Sequence, residues 1–314
     1  MKCHPTKQFQ VLVPKLREKG FYHSQKERKI SWSIYNLNQI NDLKESLIFI
    51  REEVEKCNCL IYIRAGRPLT NVKSLAKAIL FCELFQIPER QAQGYLEIMG
   101  PFLGISELLD DKVIGDAYNH FEVLYILKQI FERNKNSDGI LSGDGTGLET
   151  SRKQNYESQK KTNGYMTSII DSREIVQAFD ISGLQECQAM HNLIKEVEGN
   201  SLRLDAGFVD RELVKLLGQI GLKPYIFPKK NLTLNSRGNK EWTRMYLELL
   251  NDVQNWLKEY HQRSHTESFH SAFKRRFGII TKRNPCTQLS QITARIILHN
   301  RTRNAYFSKL ANAN

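Results

Sequence analysis

A chain of 314 residues with 40% apolar and 25% charged side chains buries a core without needing a disulfide or metal staple. Its 18 Gly and 8 Pro exclude a fibrous or disordered chain, no apolar run approaches the roughly 18 residues that cross a bilayer, and the opening MKCHPTKQFQ has no secretory apolar segment, so a soluble intracellular protein is expected. The net charge is +12, and residues 201–314 carry all of it, with 20 Lys or Arg against 8 Asp or Glu, which favours a nucleic-acid partner over a membrane surface; a solvated basic face is the alternative.

The first 130 residues read as helical. Ile40, Leu43, Leu47, Ile50, Val54 and Cys57 recur in steps of three and four, the stripe of a bundle helix. Val72, Leu75, Ala76, Ile79, Leu80 and Phe85 mark a second helix, which breaks at Gln86-Ile87-Pro88. Pro88 suits the first turn of a third, running through Tyr95, Leu96 and Met99 and stopped by Gly100-Pro101. A further pattern holds Val113, Ile114, Ala117, Tyr118, Phe121, Leu124, Leu127, Ile130 and Phe131. The corner at Gln86–Pro88 is compatible with a helix-turn-helix that grips DNA ends, or with plain packing or dimerisation.

Glu132–Asp138 is a polar linker, and the pattern then changes. Gly139–Asp144 is a short apolar run ending on an acid, and Ser151–Asn163 a charged loop. Tyr165–Ile170 and Ile175–Ile181 read as strands around a turn at Asp171-Ser172-Arg173. Gln185–Val197 is helical, Ser201–Asp205 a strand ending on an acid, Asp210–Ile220 helical, and Lys223–Phe227 a strand. Asn239–Tyr260 reads as one long helix with Trp242, Met245, Tyr246, Leu249, Leu250, Val253, Trp256 and Leu257 on one face. The fold class predicted is α/β: a helical domain over residues 1–134, then a mixed sheet flanked by helices over 135–314.

Six cysteines, at 3, 57, 59, 82, 187 and 286, form no CxxC pair, and Cys57-Asn58-Cys59 lacks the second half of a zinc signature; reduced thiols are expected. His261, His265 and His270 invite a metal reading, but without an HExxH motif phosphate contact or no role is preferred.

Asp144 and Asp205 each close a short apolar strand and precede a glycine-bearing turn, Asp144-Gly145-Thr146-Gly147 and Asp205-Ala206-Gly207. Acids at strand ends on one rim of a sheet can converge on a cation, although caps and turns use Asp constantly. A third element narrows the choice. On one continuous helix Tyr260, Arg263, Glu267 and Lys274 fall within about a 60° arc, so a carboxylate is flanked by cations and a phenol, with Arg275 and Arg276 beside them. Three carboxylates suffice for two divalent cations roughly 4 Å apart, the arrangement that phosphodiester cleavage uses.

This set resembles the DDE transposases of bacterial and archaeal insertion sequences, in the group whose third acid lies in a Y-x2-R-x3-E-x6-K signature. The signature is complete in Tyr260, Arg263, Glu267 and Lys274. Asp144 in Gly143–Gly147 and Asp205 in Leu204–Phe208 look like the first two acids, Pro224–Asn231 (PYIFPKKN) resembles the strand and basic loop after the second, and Arg64–Leu69 (RAGRPL) looks like the family's N-terminal region. The resemblance covers about residues 60 to 307. The intervals are 61 residues from Asp144 to Asp205 and 62 from Asp205 to Glu267, leaving little room for the β-rich insertion that some relatives carry before the glutamate.

The resemblance implies an RNase H-like catalytic domain in which Asp144, Asp205 and Glu267 hold two Mg²⁺ or Mn²⁺ ions. It implies water-driven cleavage at the element's ends, then attack of the freed 3′-hydroxyl on target DNA, both without a covalent protein intermediate. Tyr260, Arg263 and Lys274 would position the transferred strand, with Lys229, Lys230, Arg275, Arg276, Lys282 and Arg283 as backbone contacts by charge and place. The partners expected are double-stranded DNA, as terminal repeats and target, and a second copy of the chain; the setting expected is the cytoplasm, at the nucleoid. An inactive DNA-binding relative and an RNase H-like nuclease that cuts without joining remain the alternatives.

Overall fold

The computed structural model describes residues 5–18, 20–22, 30–59, 70–150, 164–235 and 237–313. The charged loop at 151–163 and the RAGRPL segment lie outside the described residues. The chain forms two compact units. One comprises Met1–Lys29, Ser137–Thr146 and Tyr165–Ser271; the other comprises Ile30–Asn136, Gly147–Gly164 and Ala272–Asn314.

The first unit is built on a five-stranded sheet. Its strands are β1 (Ile140–Leu148), β2 (Gly164–Ile170), β3 (Val176–Asp180), β4 (Ser201–Leu204) and β5 (Lys223–Ile226), in the order β3-β2-β1-β4-β5. β1, β4 and β5 run parallel, while β2 and β3 form an antiparallel pair around the predicted turn, closed by the Asp171 carboxylate, which accepts from the Arg173 and Ile175 amides. The pleat decides which side chains face which way. Leu202 and Leu204 are fully buried in the apolar core, and Gly143 has no room for a side chain, since a Cβ there would meet Met190 Cε at 2.7 Å and Leu204 Cδ2 at 2.8 Å. Ser142, Asp144, Ser201, Arg203 and Asp205 alternate onto the opposite face.

Helices α7 (Glu186–Leu193), α8 (Arg211–Gln219), α9 (Lys240–Asn251), α10 (Val253–Tyr260) and the start of α11 (Ser264–Phe277) accompany the sheet. Trp242, Met245, Tyr246, Leu249, Trp256 and Leu257 are buried as predicted, but the long helix is two: Asp252, at φ −145° and ψ 80°, ends α9 and caps α10 by accepting from the Asn255 amide. The apolar period crosses the break in phase, which is why the pattern alone reads as continuous. Helix α7 is shorter than the predicted Gln185–Val197, and a 3₁₀ turn over His261–Arg263 joins α10 to α11. Helix α1 (Pro5–Lys15) also belongs to this unit, with Phe9 fully buried against Tyr246 at 5.2 Å between ring centroids.

The second unit is helical: α2 (Trp32–Glu55), α3 (Val72–Phe85), α4 (Glu89–Leu103), α5 (Asp111–Ala117), α6 (Phe121–Asn134) and α12 (Pro285–Asn312). Helix α12 packs against α2, α3 and α6. A buried polar hub ties it in: Glu83 accepts from Tyr118 Oη at 2.7 Å, Gln291 Nε2 at 2.9 Å and Arg295 Nε at 2.6 Å, so the charge is fully paired. Three expectations are corrected here. Leu47, Ile50, Val54 and Cys57 are buried, but Ile40 and Leu43 are exposed. Gly100-Pro101 does not stop α4, because a proline in the last turn forfeits one amide bond only; Gly104, at φ 71°, ends it, with the Ile105 amide returning to Gly100 O at 2.9 Å. The pattern over residues 113–131 is two helices, capped by Asp110 and broken around Tyr118–His120.

Candidate active site

The parallel pairing of β1 with β4 matches Ile140 to Ser201, Leu141 to Leu202 and Ser142 to Arg203. Carried two positions further, the same 61-residue offset sets Asp144 across from Asp205. Asp144 stands within β1 rather than at its end; Asp205 follows directly after β4. Neighbouring strands are about 4.8 Å apart, so register alone brings two acids from distant parts of the chain side by side on one face. Each has one oxygen occupied by a neighbouring backbone amide: Asp144 Oδ1 accepts from the Gly145 amide at 2.9 Å, and Asp205 Oδ1 from the Gly207 amide at 2.6 Å.

Glu267 enters from the first turn of α11. Arg263 links it to the sheet, donating from Nη1 to Asp144 Oδ2 at 3.0 Å and from Nη2 to Glu267 Oε1 at 2.5 Å. Tyr260 is 8% exposed, lies parallel to Trp256 at 5.5 Å, and hydrogen-bonds Arg263; burial is the main cause of its raised pKa. Below this segment Arg203, 1% exposed, donates to Glu259 Oε2 at 2.6 Å, to the Glu259 carbonyl at 2.9 Å and to Ser201 Oγ at 2.8 Å, fastening the end of α10 to β4.

The carboxylates sense one another. Burial above all raises the Asp144 pKa, the Gly145 amide and Arg263 oppose the shift, and Asp205 and Glu267 add to it. A fourth acid, Glu186 at the start of α7, joins them: its pKa is raised by burial first and then by Asp144 and Asp205, and its Oε1 lies 2.6 Å from where a Cβ on Gly145 would sit. Sequence reading missed it, because an acid in the first turn of a helix is ordinary and only the fold brings it to the rim. Among the described residues the oxygens of these acids do not form a three-ligand group within 4.8 Å. They line a wider cradle, with the Arg263 guanidinium between Asp144 and Glu267. A half-buried trio of acids, Asp144, Asp205 and Glu186, with exposed Glu267 held to it by an arginine, suits a divalent cation by its donor chemistry, all oxygen and mostly carboxylate.

Lys229 and Lys230 are exposed after β5, and Lys274 and Arg275 are exposed in the last turn of α11. Arg276 is tied to Asp42 at 3.2 Å and to Thr302 at 2.7 Å, and Lys282 to Glu89. His261 stacks on Tyr22 at 4.3 Å, and buried His270 meets Ser168 Oγ at 3.1 Å. Among the described residues none of His261, His265 and His270 belongs to a group with metal-ligand spacing.

A family profile described as the transposase DDE domain matches residues 135–305. The chain belongs to the DDE transposase family. Membership makes it a DNA-processing enzyme with DNA as its partner and divalent metal as its cofactor class. The five-stranded mixed sheet flanked by helices is the RNase H-like arrangement. The chain is also 29% identical over 252 residues to a probable transposase for the insertion sequence element ISA1214 of Archaeoglobus fulgidus, covering 75% of this chain and 76% of that protein. No solved structure matches. No described helix is long and apolar enough to cross a membrane.

Proposed function

We propose that the chain is an insertion-sequence transposase that cleaves the ends of its element and joins the freed 3′-hydroxyl to target DNA. The observation that carries this reading is the Arg263 fork, which links Asp144 on the sheet to Glu267 on α11 and so gathers acids from separate elements at one rim. Asp144, Asp205 and Glu267 would be the residues that hold two Mg²⁺ or Mn²⁺ ions. Bound there, the cations supply Lewis acidity for water and for the 3′-hydroxyl, and they neutralise charge on the phosphate during in-line transfer.

The protein's own part is positioning. The Gly145 and Gly207 amides fix the carboxylates of Asp144 and Asp205, and Tyr260 props Arg263, whose guanidinium would hold a phosphate of the transferred strand. Lys274, Arg275, Lys229 and Lys230 are placed in this reading on the strand backbone. Residues 1–134 serve element-end binding or dimerisation: the α3–α4 corner is a candidate for the first, and the exposed Trp32, Leu37, Ile40 and Leu43 of α2 for the second.

The test is Glu267→Gln assayed on the element's terminal repeats with Mg²⁺ or Mn²⁺. Cleavage is expected to vanish while DNA binding persists. Wild-type cleavage by the variant rejects the assignment. No cleavage by the unaltered chain under either metal favours a DNA-binding relic, and cleavage without joining of a 3′-hydroxyl donor favours a nuclease.

A further inference from the structure

On the sheet unit, Cys187 and His191 lie four residues apart on α7, one above the other on the same face. Asp210 meets them from the start of α8. Its Oδ1 caps that helix by accepting from the Glu212 amide at 3.2 Å, which leaves Oδ2 turned toward α7, 2.7 Å from His191 Nε2 and 3.9 Å from Cys187 Sγ. The three ligand atoms all lie within 4.8 Å of one another, and among the described residues no other group of three does so.

We propose that Cys187, His191 and Asp210 form a binding site for a soft divalent transition metal of the zinc class, separate from the acidic cradle. The donor set decides the metal: a thiolate and an imidazole select zinc or cobalt over magnesium, which takes oxygen ligands. Tetrahedral zinc places its sulfur, nitrogen and oxygen ligands about 3.3–3.6 Å apart, so closing on the ion asks for small rotamer adjustments and no backbone movement. The His191–Asp210 hydrogen bond gives way to two metal bonds. On binding, the Cys187 thiol proton and the His191 Nε2 proton that bridges to Asp210 are both given up to solvent, and the imidazole carries its one remaining proton on Nδ1 so that the Nε2 lone pair is free. The side chains of His191 and Asp210 are 27% and 34% exposed, so the fourth position opens to water. The metal would clip α7 to the loop that begins at Asp205 and ends at Asp210, and this inference does not depend on the catalytic assignment.

The experiment is a titration of chelator-treated full-length chain with Co²⁺, read by the sulfur-to-cobalt charge-transfer absorption. One equivalent per chain is expected, displaced by Zn²⁺. The band should disappear in Cys187→Ser and weaken at least tenfold in affinity in Asp210→Asn, which retains the helix cap. It should persist in Asp144→Asn combined with Glu267→Gln, which separates this site from the acidic one. Absence of the band in the unaltered chain, or an unchanged band in Cys187→Ser, overturns the proposal. A second measurement needs no variant: Zn²⁺ should protect Cys187, but not exposed Cys286, from alkylation followed by mass spectrometry. Equal labelling of Cys187 with and without Zn²⁺ is the contrary result.

Discussion

Ionised Asp144 costs the fold stability. Burial first, and then Asp205 and Glu267, hold its carboxyl above the ordinary range despite the Gly145 amide and Arg263. A raised folded pKa means that, above the ordinary carboxylate value, the native state binds more protons than the unfolded chain; stability from this group therefore falls as pH rises through that window. Asp144→Asn removes the penalty. Without divalent cation its melting temperature should exceed that of the unaltered chain by a margin that grows as the pH rises above about 4, as thermal scans at fixed ionic strength would show; a margin independent of pH contradicts it. Arg203 makes the opposite case, since its buried guanidinium is spent on Glu259 and Ser201. Arg203→Ala should cost about 3 kcal/mol in denaturant unfolding, tempered because Glu259 still reaches water. The candidate acids were legible as residues, through the Tyr260-to-Lys274 spacing and the two aspartates that precede glycine-bearing segments. Arg263's bond to Asp144 and the approach of Glu186 were not, because each needs partners more than 40 residues away.

Among elements, the strands were legible and the helix ends were less so. SLRLD alternates polar and apolar with period two, and the sheet uses that alternation directly, with apolar residues in the core and Arg203 and Asp205 on the other face. Helix breaks are local events that leave the apolar stripe in phase, so periodicity passes over them. The Asp252 break did leave a cue in its Asp-x-x-Asn spacing, and the structure uses it twice: Asp252 accepts from the Asn255 amide at 3.1 Å and from Asn255 Nδ2 at 2.6 Å. Asp252→Ala should destabilise by about 1 kcal/mol, measured by chemical denaturation, as expected for loss of a helix cap. Helix α12 defeats pattern reading for another reason. Ser290 through Arg301 is buried throughout, polar residues included, so no amphipathic stripe announces which helices it joins.

At the scale of the whole molecule, the charge excess overstates the grip available for phosphate. Arg203, Arg263, Arg276, Arg295 and Arg301 are already paired with acids. Lys229, Lys230, Lys274, Arg275 and Arg283 stand exposed. If these carry non-specific binding, the slope of log affinity against log salt should be about −4 to −5, not the −10 or steeper that the net charge alone suggests. Fluorescence anisotropy with a duplex across a salt series measures it, and a flat response removes the basic third from the DNA-binding account.

The pairing of β1 with β4 has an evolutionary side. The distance between the first two acids is set by the pairing register of β1 with β4, and the loops that join the β2–β3 hairpin and α7 between those strands can lengthen or shorten without moving that register. The count of 61 residues is thus an accident of this chain's loops, whereas the alignment of the two strands is what natural selection has to preserve. Kinship in such proteins is better traced by matching strand rungs than by matching gap lengths, and an ancestor with quite different spacing is admissible on physical grounds.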